Sequence, residues 1–371
     1  RRAERRRAAH RQAEMILQSI RLQSFRSYRQ GAFSFRPGVN ILCGDNGRGK
    51  TNLLEAIWSL TGLRSWRCAR KGEMVCWDAP EALLQGTVLS HGRELELKLR
   101  IPTAGRSTAW INGVKKQRQA ELSQALRCVL FSPEDLQLVK GPAAGRRAFL
   151  DDALCQMRPR YEALLARYEK LLESKSRLLK QDPPPETALV ASFDEQLSLL
   201  GAQLVGYRAR FCRGLREESA RLHSAISGGK ERLDLQYRTV STVSDPFAPP
   251  EVVAAQLSEH LAAHRQAELA AGQCLSGLHK DDLELFLNDR SARAYASQGQ
   301  TRSAALALKF GQRELFYRDG GEYPLLLLDD VLSELDAPRQ AFVATHAMGG
   351  QSIITCCEER REFTDAGVIR L

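Results

Sequence analysis

The chain has 371 residues, 43% hydrophobic and 26% charged, which is enough apolar material for two or three packed units around their own cores. Its formal net charge of +10 and pI of about 9.3 favour a polyanionic partner such as nucleic acid. Even the run of four leucines, Leu325–Leu328, is far too short to cross a bilayer, and nine scattered cysteines without a C-x-x-C pair read as reduced cytosolic thiols, against a disulfide framework or a zinc site.

Half of the charge excess lies in the first eleven residues, where six arginines stand against Glu4. A run of like charge without an apolar h-region is a solvated extension or a nucleic-acid arm, not a secretion signal. Residues 1–14 are therefore expected to form a basic, disordered tail, with order beginning at the strand-like segment that Met15 opens.

Gly44, Asp45, Asn46, Gly47, Arg48, Gly49, Lys50 and Thr51 fit the pattern G-x-x-x-x-G-K-[ST]. Val39–Cys43 before them is apolar and β-prone, and Thr51–Leu60 after them carries Leu, Ala and Ile at helical spacing, so the context is strand, loop, helix. Phosphate oxygens must be met by converging backbone NH groups, and glycines let the chain curl and approach closely enough to do so. Lys50 would then neutralise the β- and γ-phosphates of a nucleoside triphosphate, and Thr51 would offer its hydroxyl to a magnesium ion. The plainer alternative is a glycine-rich turn before an ordinary helix.

From Gly86 to Val114, residues Val88, Leu95, Leu97, Leu99 and Ile101 alternate with polar ones, and Asn112-Gly113 is a hairpin signal, which predicts an antiparallel sheet beside the nucleotide core. Lys115, Lys116 and Arg118 leave it as a basic cluster. Arg146 to Ile226 reads as two long helices broken by QDPPPET at Gln181–Thr187: Tyr161, Leu164, Tyr168, Leu171 and Leu178 step along the first, interrupted at Lys175, and Phe193, Leu197, Leu200, Leu204, Tyr207 and Phe211 along the second. The expected product is an antiparallel helical hairpin. Its outer positions carry Arg158, Arg160, Arg167, Lys170, Arg177, Lys180, Arg208, Arg210, Arg213 and Arg216, either a salt-bridged solvent face or a phosphate-binding stripe.

A phosphate cradle needs a carboxylate for its metal, at the end of a buried strand. Leu325–Leu328 suits the centre of a parallel sheet, and Asp329 follows at its carboxyl end. Asp330, next, is placed to accept a proton from an attacking water, or else caps the following turn. Lys50 and Asp329 lie near opposite ends of the chain, which implies an insertion within the nucleotide fold.

Six stretches in this order, LQSFRSY (Leu22–Tyr28), GDNGRGKTNLLEAI, FSPEDLQLVKGPAAGRRAFLD (Phe131–Asp151), GLHKDDL (Gly277–Leu283), SQGQTR (Ser297–Arg302) and LLLLDDVLSELD, resemble motifs of the RecF family, within the ABC-type ATPases that work on DNA. The resemblance implies an α/β fold: a P-loop ABC-type ATPase head, residues 15–145 and 270–371, with an antiparallel β subdomain and an inserted α-helical arm, lobe II, over 146–269. It implies an ATP switch in which Ser297, Gly299 and Gln300 of a second head close over the γ-phosphate; serine hydroxyls and glycine NH groups before a helix do make a phosphate site. Arg302, one turn on, would add charge there or remain a surface arginine. Asp336 matches the position where this class crosses the dimer boundary, and Arg26 and Tyr28 match the motif near the nucleotide.

Departures from the wider ABC pattern are Asp330 in place of glutamate, Thr355 and Cys356 where many members place a histidine, and no glutamine in Ser132–Asp135. A shorter acid and a missing histidine suggest slow hydrolysis. The expectation is an ATP-dependent, weakly hydrolysing DNA-binding recombination mediator, using ATP and Mg2+, dimeric with ATP on gapped or single-strand/duplex junction DNA. RecR, RecO and, indirectly, RecA are partners by resemblance only. The alternatives are an SMC-like chromosome-structural ATPase and the ATPase subunit of a membrane transporter.

Overall fold

The structure, a computed structural model, describes residues 14–68, 70–357, 363 and 366–371. The expected tail lies outside these except for Glu14, which bridges to Tyr323. Two compact units are present: one drawn from the described residues of Arg1–Leu136, Arg221–Lys230 and Gln298–Leu371, the other from Gln137–Ala220 and Glu231–Ser297.

The first unit is built on a five-stranded parallel sheet in the order β14, β3, β13, β12, β8, where β3 is Val39–Cys43, β8 Cys128–Phe131, β12 Leu325–Leu328, β13 Ser352–Cys356 and β14 Gly367–Arg370. All residues of β8, β12 and β13 are buried, as continuous apolar runs require when both faces of a sheet are covered. Helices α1 (Lys50–Ser59) and α6 (Gln298–Gly320) pack on this sheet against β13 and β8 respectively.

The same unit carries a six-stranded antiparallel sheet ordered β2, β1, β4, β5, β6, β7: β1 Ile16–Phe25, β2 Tyr28–Ser34, β4 Glu81–Ser90, β5 Arg93–Pro102, β6 Thr108–Ile111 and β7 Val114–Lys115. The alternation expected from Gly86 onward is present, and β4 buries every second residue along its length. The Asn112-Gly113 turn has φ of +50° and +74°, the left-handed pair of a two-residue hairpin. Strands β1 and β2, which the sequence reading did not assign to this sheet, complete it. Buried Gln351 joins the two sheets: its side chain accepts from Leu17 N at 2.7 Å and donates to the Leu17 carbonyl at 2.9 Å and the Arg36 carbonyl at 2.9 Å.

The second unit combines α2 (Ala143–Met157), α3 (Pro159–Leu178), α5 (Pro250–Ala271) and most of α4 (Thr187–Ser227) with a small antiparallel sheet, in which β10 (Asp282–Leu287) pairs with both β9 (Leu233–Arg238) and β11 (Arg290–Ser291). Because β10 pairs with β9, residues 270–297 belong to this unit, although the sequence reading put them in the ATPase lobe.

The hairpin of α3 and α4 is antiparallel. Tyr161 meets Tyr207 edge-on at 5.6 Å, Gly201 faces Tyr168, and Lys175 Nζ reaches Asp194 Oδ1 at 2.6 Å. Two expectations need correction. The first long helix is two, broken at Arg158 (φ −135°, ψ 98°), since the ring of Pro159 disfavours helical backbone in the residue before it. Arg208 is not on the outer face: it is buried, with Nη2 on both oxygens of Asp151 at 2.8 and 2.9 Å and Nη1 on Asp281 Oδ2 at 2.7 Å. The interruption at Lys175 is likewise internal, because its fully buried ammonium lies between Asp194 and Glu268. Among the described residues no helix is long and apolar enough to cross a membrane.

Candidate nucleotide site

The loop Gly44–Lys50 links β3 to α1, with Asp45, Asn46, Gly47 and Arg48 exposed at its tip and Gly49 and Lys50 buried at its base. Gly47 and Gly49 have φ of +84° and +98°, in the left-handed region that a Cβ makes costly. At Gly49 a Cβ would also stand 2.9 Å from the Tyr28 hydroxyl oxygen. Gly49→Ala is therefore expected to distort the loop and lower nucleotide affinity by at least about tenfold, read by isothermal titration, with about 1–3 kcal/mol lost from stability to the strained backbone. The first turn of α1 contains no acidic residue, so its free NH groups and the positive end of its dipole are open to an anion. Lys50 Nζ donates to the carbonyl oxygens of Gly44 and, at 3.2 Å, Asp45.

Strand β13 lies between β3 and β12, so the loop after β3 and the carboxylates after β12 emerge at the same end of the sheet, separated by one strand. Thr51 Oγ1 donates to Asp329 Oδ1 at 2.9 Å. From β13, Thr355 Oγ1 donates to the same oxygen at 3.0 Å and accepts from the backbone NH of Asp330 at 2.8 Å. Thr355 thus orients both carboxylate residues, although the sequence reading noted it only for not being histidine. Its signal was its place at the end of a buried parallel strand. Asp330 itself is exposed and held at φ +50°, an outlier for a non-glycine residue next to a candidate site.

Burial pushes the Asp329 carboxyl above the ordinary carboxylate range, and the hydroxyls of Thr51 and Thr355 pull it back only in part. A largely desolvated carboxylate of this kind gains from a neighbouring cation, and the carboxylate and Thr51 hydroxyl are the hard oxygen donors that magnesium takes. No group of three or more His, Cys, Asp or Glu side chains able to hold a metal occurs among the described residues. That donor set fits an ion whose remaining ligands are water and phosphate oxygens, not a dedicated protein cage.

Arg26 and Tyr28 flank the loop in different ways. Tyr28 donates its hydroxyl to the Gly49 carbonyl at 3.2 Å, and burial pushes its pKa up to about 12. The Arg26 guanidinium is directed at α1: it grips Glu55 with two bonds of 2.7 and 2.8 Å, and the hydrogen bond to Glu55 raises its pKa. Glu55 is wholly buried and also accepts from Arg67 at 3.0 Å. Sequence reasoning missed Glu55, whose signal was a lone acid inside the apolar stretch NLLEAI.

Ser297 is the last residue of the second unit, while Gly299 and Gln300 form the first turn of α6 in the first unit. Arg339 ties that turn to the segment after Asp330. Its Nη2 donates to the Gly299 carbonyl at 2.9 Å, its Nε to Ser303 Oγ at 2.9 Å, and its Nη1 pairs with Asp336. Asp336 in turn caps α7 (Ala337–Ala347) by accepting from Arg339 N at 3.2 Å. Arg302 pairs with Glu334 at 3.0 Å. The segments SQGQTR and SELD, distant in sequence, are therefore cross-linked by two arginines.

A glycine loop opening a helix on one parallel strand, a carboxylate pair two strands away, an antiparallel companion sheet and a helical insertion define an ABC-type ATPase head of the SMC-like class. Residues 16–365 match the family model described as the RecF/RecN/SMC N terminal domain. The chain belongs to the RecF family of DNA replication and repair proteins. It is 42% identical to RecF of Symbiobacterium thermophilum, over 93% of this chain and 92% of that protein, and 36% identical to RecF of Bacillus subtilis, over 96% and 98%. A solved structure described as the recombination mediator protein RecF-ATPrS in the RecFOR pathway superposes with a TM-score of 0.89 at 29% identity, covering 97% of this chain and 96% of that one. The Smc head domain of Pyrococcus furiosus, at 18% identity and a TM-score of 0.54, shares the fold.

Proposed function

We propose that this chain is an ATP-operated switch that dimerises on DNA at gaps or single-strand/duplex junctions and lets go after slow hydrolysis. RecR and RecO are its proposed partners and RecA its indirect beneficiary, in keeping with its membership of the RecF family. The observation that carries the reading is the 2.9 Å hydrogen bond from Thr51 to Asp329, which joins residues 278 positions apart at one end of the sheet.

In this reading the loop NH groups of residues 44–51 and the Lys50 ammonium bind the β- and γ-phosphates, and Thr51 and Asp329 are the residues that would hold a magnesium ion, which would supply positive charge against the phosphate oxygens. Asp330 accepts the proton of the attacking water; its reach is short for an acid in this position, which supports slow turnover. Ser297, Gly299 and Gln300 of a second copy approach the γ-phosphate, with Arg339 holding the turn that presents them and Asp336 near the boundary. Arg26 acts on α1 through Glu55 and so positions the loop without touching nucleotide, whereas Arg302 is engaged by Glu334. DNA affinity comes mainly from phosphate contacts and falls steeply with salt.

Asp330→Asn tests the chemistry. The ATP-bound dimer should persist by light scattering, with phosphate release slowed by about 10²–10⁴-fold. Turnover at the unaltered rate would remove Asp330 from the role of base.

A further inference from the structure

One face of the antiparallel sheet is core: Ile20, Leu84, Val88, Leu97, Leu99 and Ala109 are all at or below 1% exposure. The opposite face is open and polar, as antiparallel sheets allow. Strand register sets one line of side chains across it. Arg21 on β1 stands opposite Gln85 on β4, Gln85 opposite Lys98 on β5, Lys98 opposite Trp110 on β6, and Trp110 opposite Lys115 on β7. Arg21 and Lys115 are exposed at the two ends, and Lys98 Nζ lies over the half-exposed Trp110 ring, 5.4 Å from its centroid.

We infer that this line is a binding surface for a single-stranded segment of DNA, with Arg21, Lys98 and Lys115 meeting phosphates and Trp110 stacking on a base. No acid interrupts the line. The acids on the same face lie off it: Glu81 is paired with Arg100 at 2.5 Å, and Glu94 and Glu96 sit farther along β5 toward the β4–β5 turn. Four interstrand steps of ~4.8 Å make the line about 19 Å long, comparable with the shortest single-strand sites, of about four nucleotides. The single strand is favoured over duplex because an aromatic ring set among cations on an open sheet recognises exposed base faces, which a duplex hides.

This inference rests on the DNA role proposed above and supplies the surface for its single-stranded arm. The test is fluorescence anisotropy of labelled oligo(dT), blunt duplex and gapped duplex with the full chain, over a salt series, for the unaltered protein, Lys98→Glu/Lys115→Glu and Trp110→Ala. ATP binding by each variant, through a site none of these residues enters, reports folding. The double variant should lose at least about tenfold in oligo(dT) affinity, with the log–log salt slope shallower by about one to two. Trp110→Ala should lose about tenfold on oligo(dT) and leave blunt-duplex affinity unaltered. Variants that bind oligo(dT) with the original affinity and slope overturn the surface, as does an equal loss on blunt duplex for Trp110→Ala. If the unaltered protein binds none of the three DNAs, the DNA role and the surface fall together; if it binds and the variants match it, the surface alone falls.

Discussion

Lys50→Ala is expected to abolish ATP binding, and ATP-dependent dimerisation with it. Lys50 is 8% exposed at the base of the loop and its ammonium donates to the carbonyls of Gly44 and Asp45, so its charge is directed at whatever the loop holds. Removing one preorganised cation from a desolvated phosphate site costs about a hundredfold or more. Because those partners are loop carbonyls and not carboxylates, folding should survive the substitution. Isothermal titration with ATP and light scattering measure both consequences. Retained affinity would show that the loop is not the phosphate site, and intact affinity with lost dimerisation would separate binding from closure.

Arg208→Met is expected to destabilise the helical unit strongly. Arg208 bridges Asp151 on α2 and Asp281 ahead of β10, and it also donates to the Leu278 carbonyl at 3.2 Å. Burial raises the pKa of Asp281, and the Arg208 charge is the largest of the influences that oppose that rise, beside the hydrogen bonds of Tyr237 and Thr239. Without the guanidinium the buried Asp281 carboxylate loses its cation and the partly exposed Asp151 loses a partner, at a cost of about 3–5 kcal/mol. Urea denaturation of the full chain, followed by helical circular dichroism, should show an early transition for this unit. Adding Asp281→Leu should recover part of the loss, since an unpaired buried acid then disappears. A loss below about 1 kcal/mol would mean that water reaches the cluster.

Arg208 also shows where sequence reasoning stops. Counted along the helix it fell among exposed basic positions, yet α4 is flanked by α3 on one side and by the segment carrying Asp281 on another. A helical period gives relative facing but not how many neighbours a helix has. Lys175 was misleading for the same reason: an apparent break in the apolar stripe is a buried cation with two acids. Arg26 was placed near the nucleotide by motif, but only the fold reveals Glu55 as its partner. The line from Arg21 to Lys115 was invisible, because five strands contribute one residue each and register decides which.

What the amino-acid order determined by itself was local: the glycine loop with its lysine and threonine, the buried leucine strand ending in two aspartates, the Asn112-Gly113 turn and the two long helical stretches. Backbone sterics, alternation and helical spacing act over a few residues, so these features could be read without neighbours. Tertiary structure alone decided that β13 stands between the loop strand and the carboxylate strand, that Thr355 links Asp329 to Asp330, and that Arg339 ties Gly299 to Asp336. Those are pairings between segments tens to hundreds of residues apart, selected by the burial of whole strands and helices against one another, and no local preference of the chain encodes them.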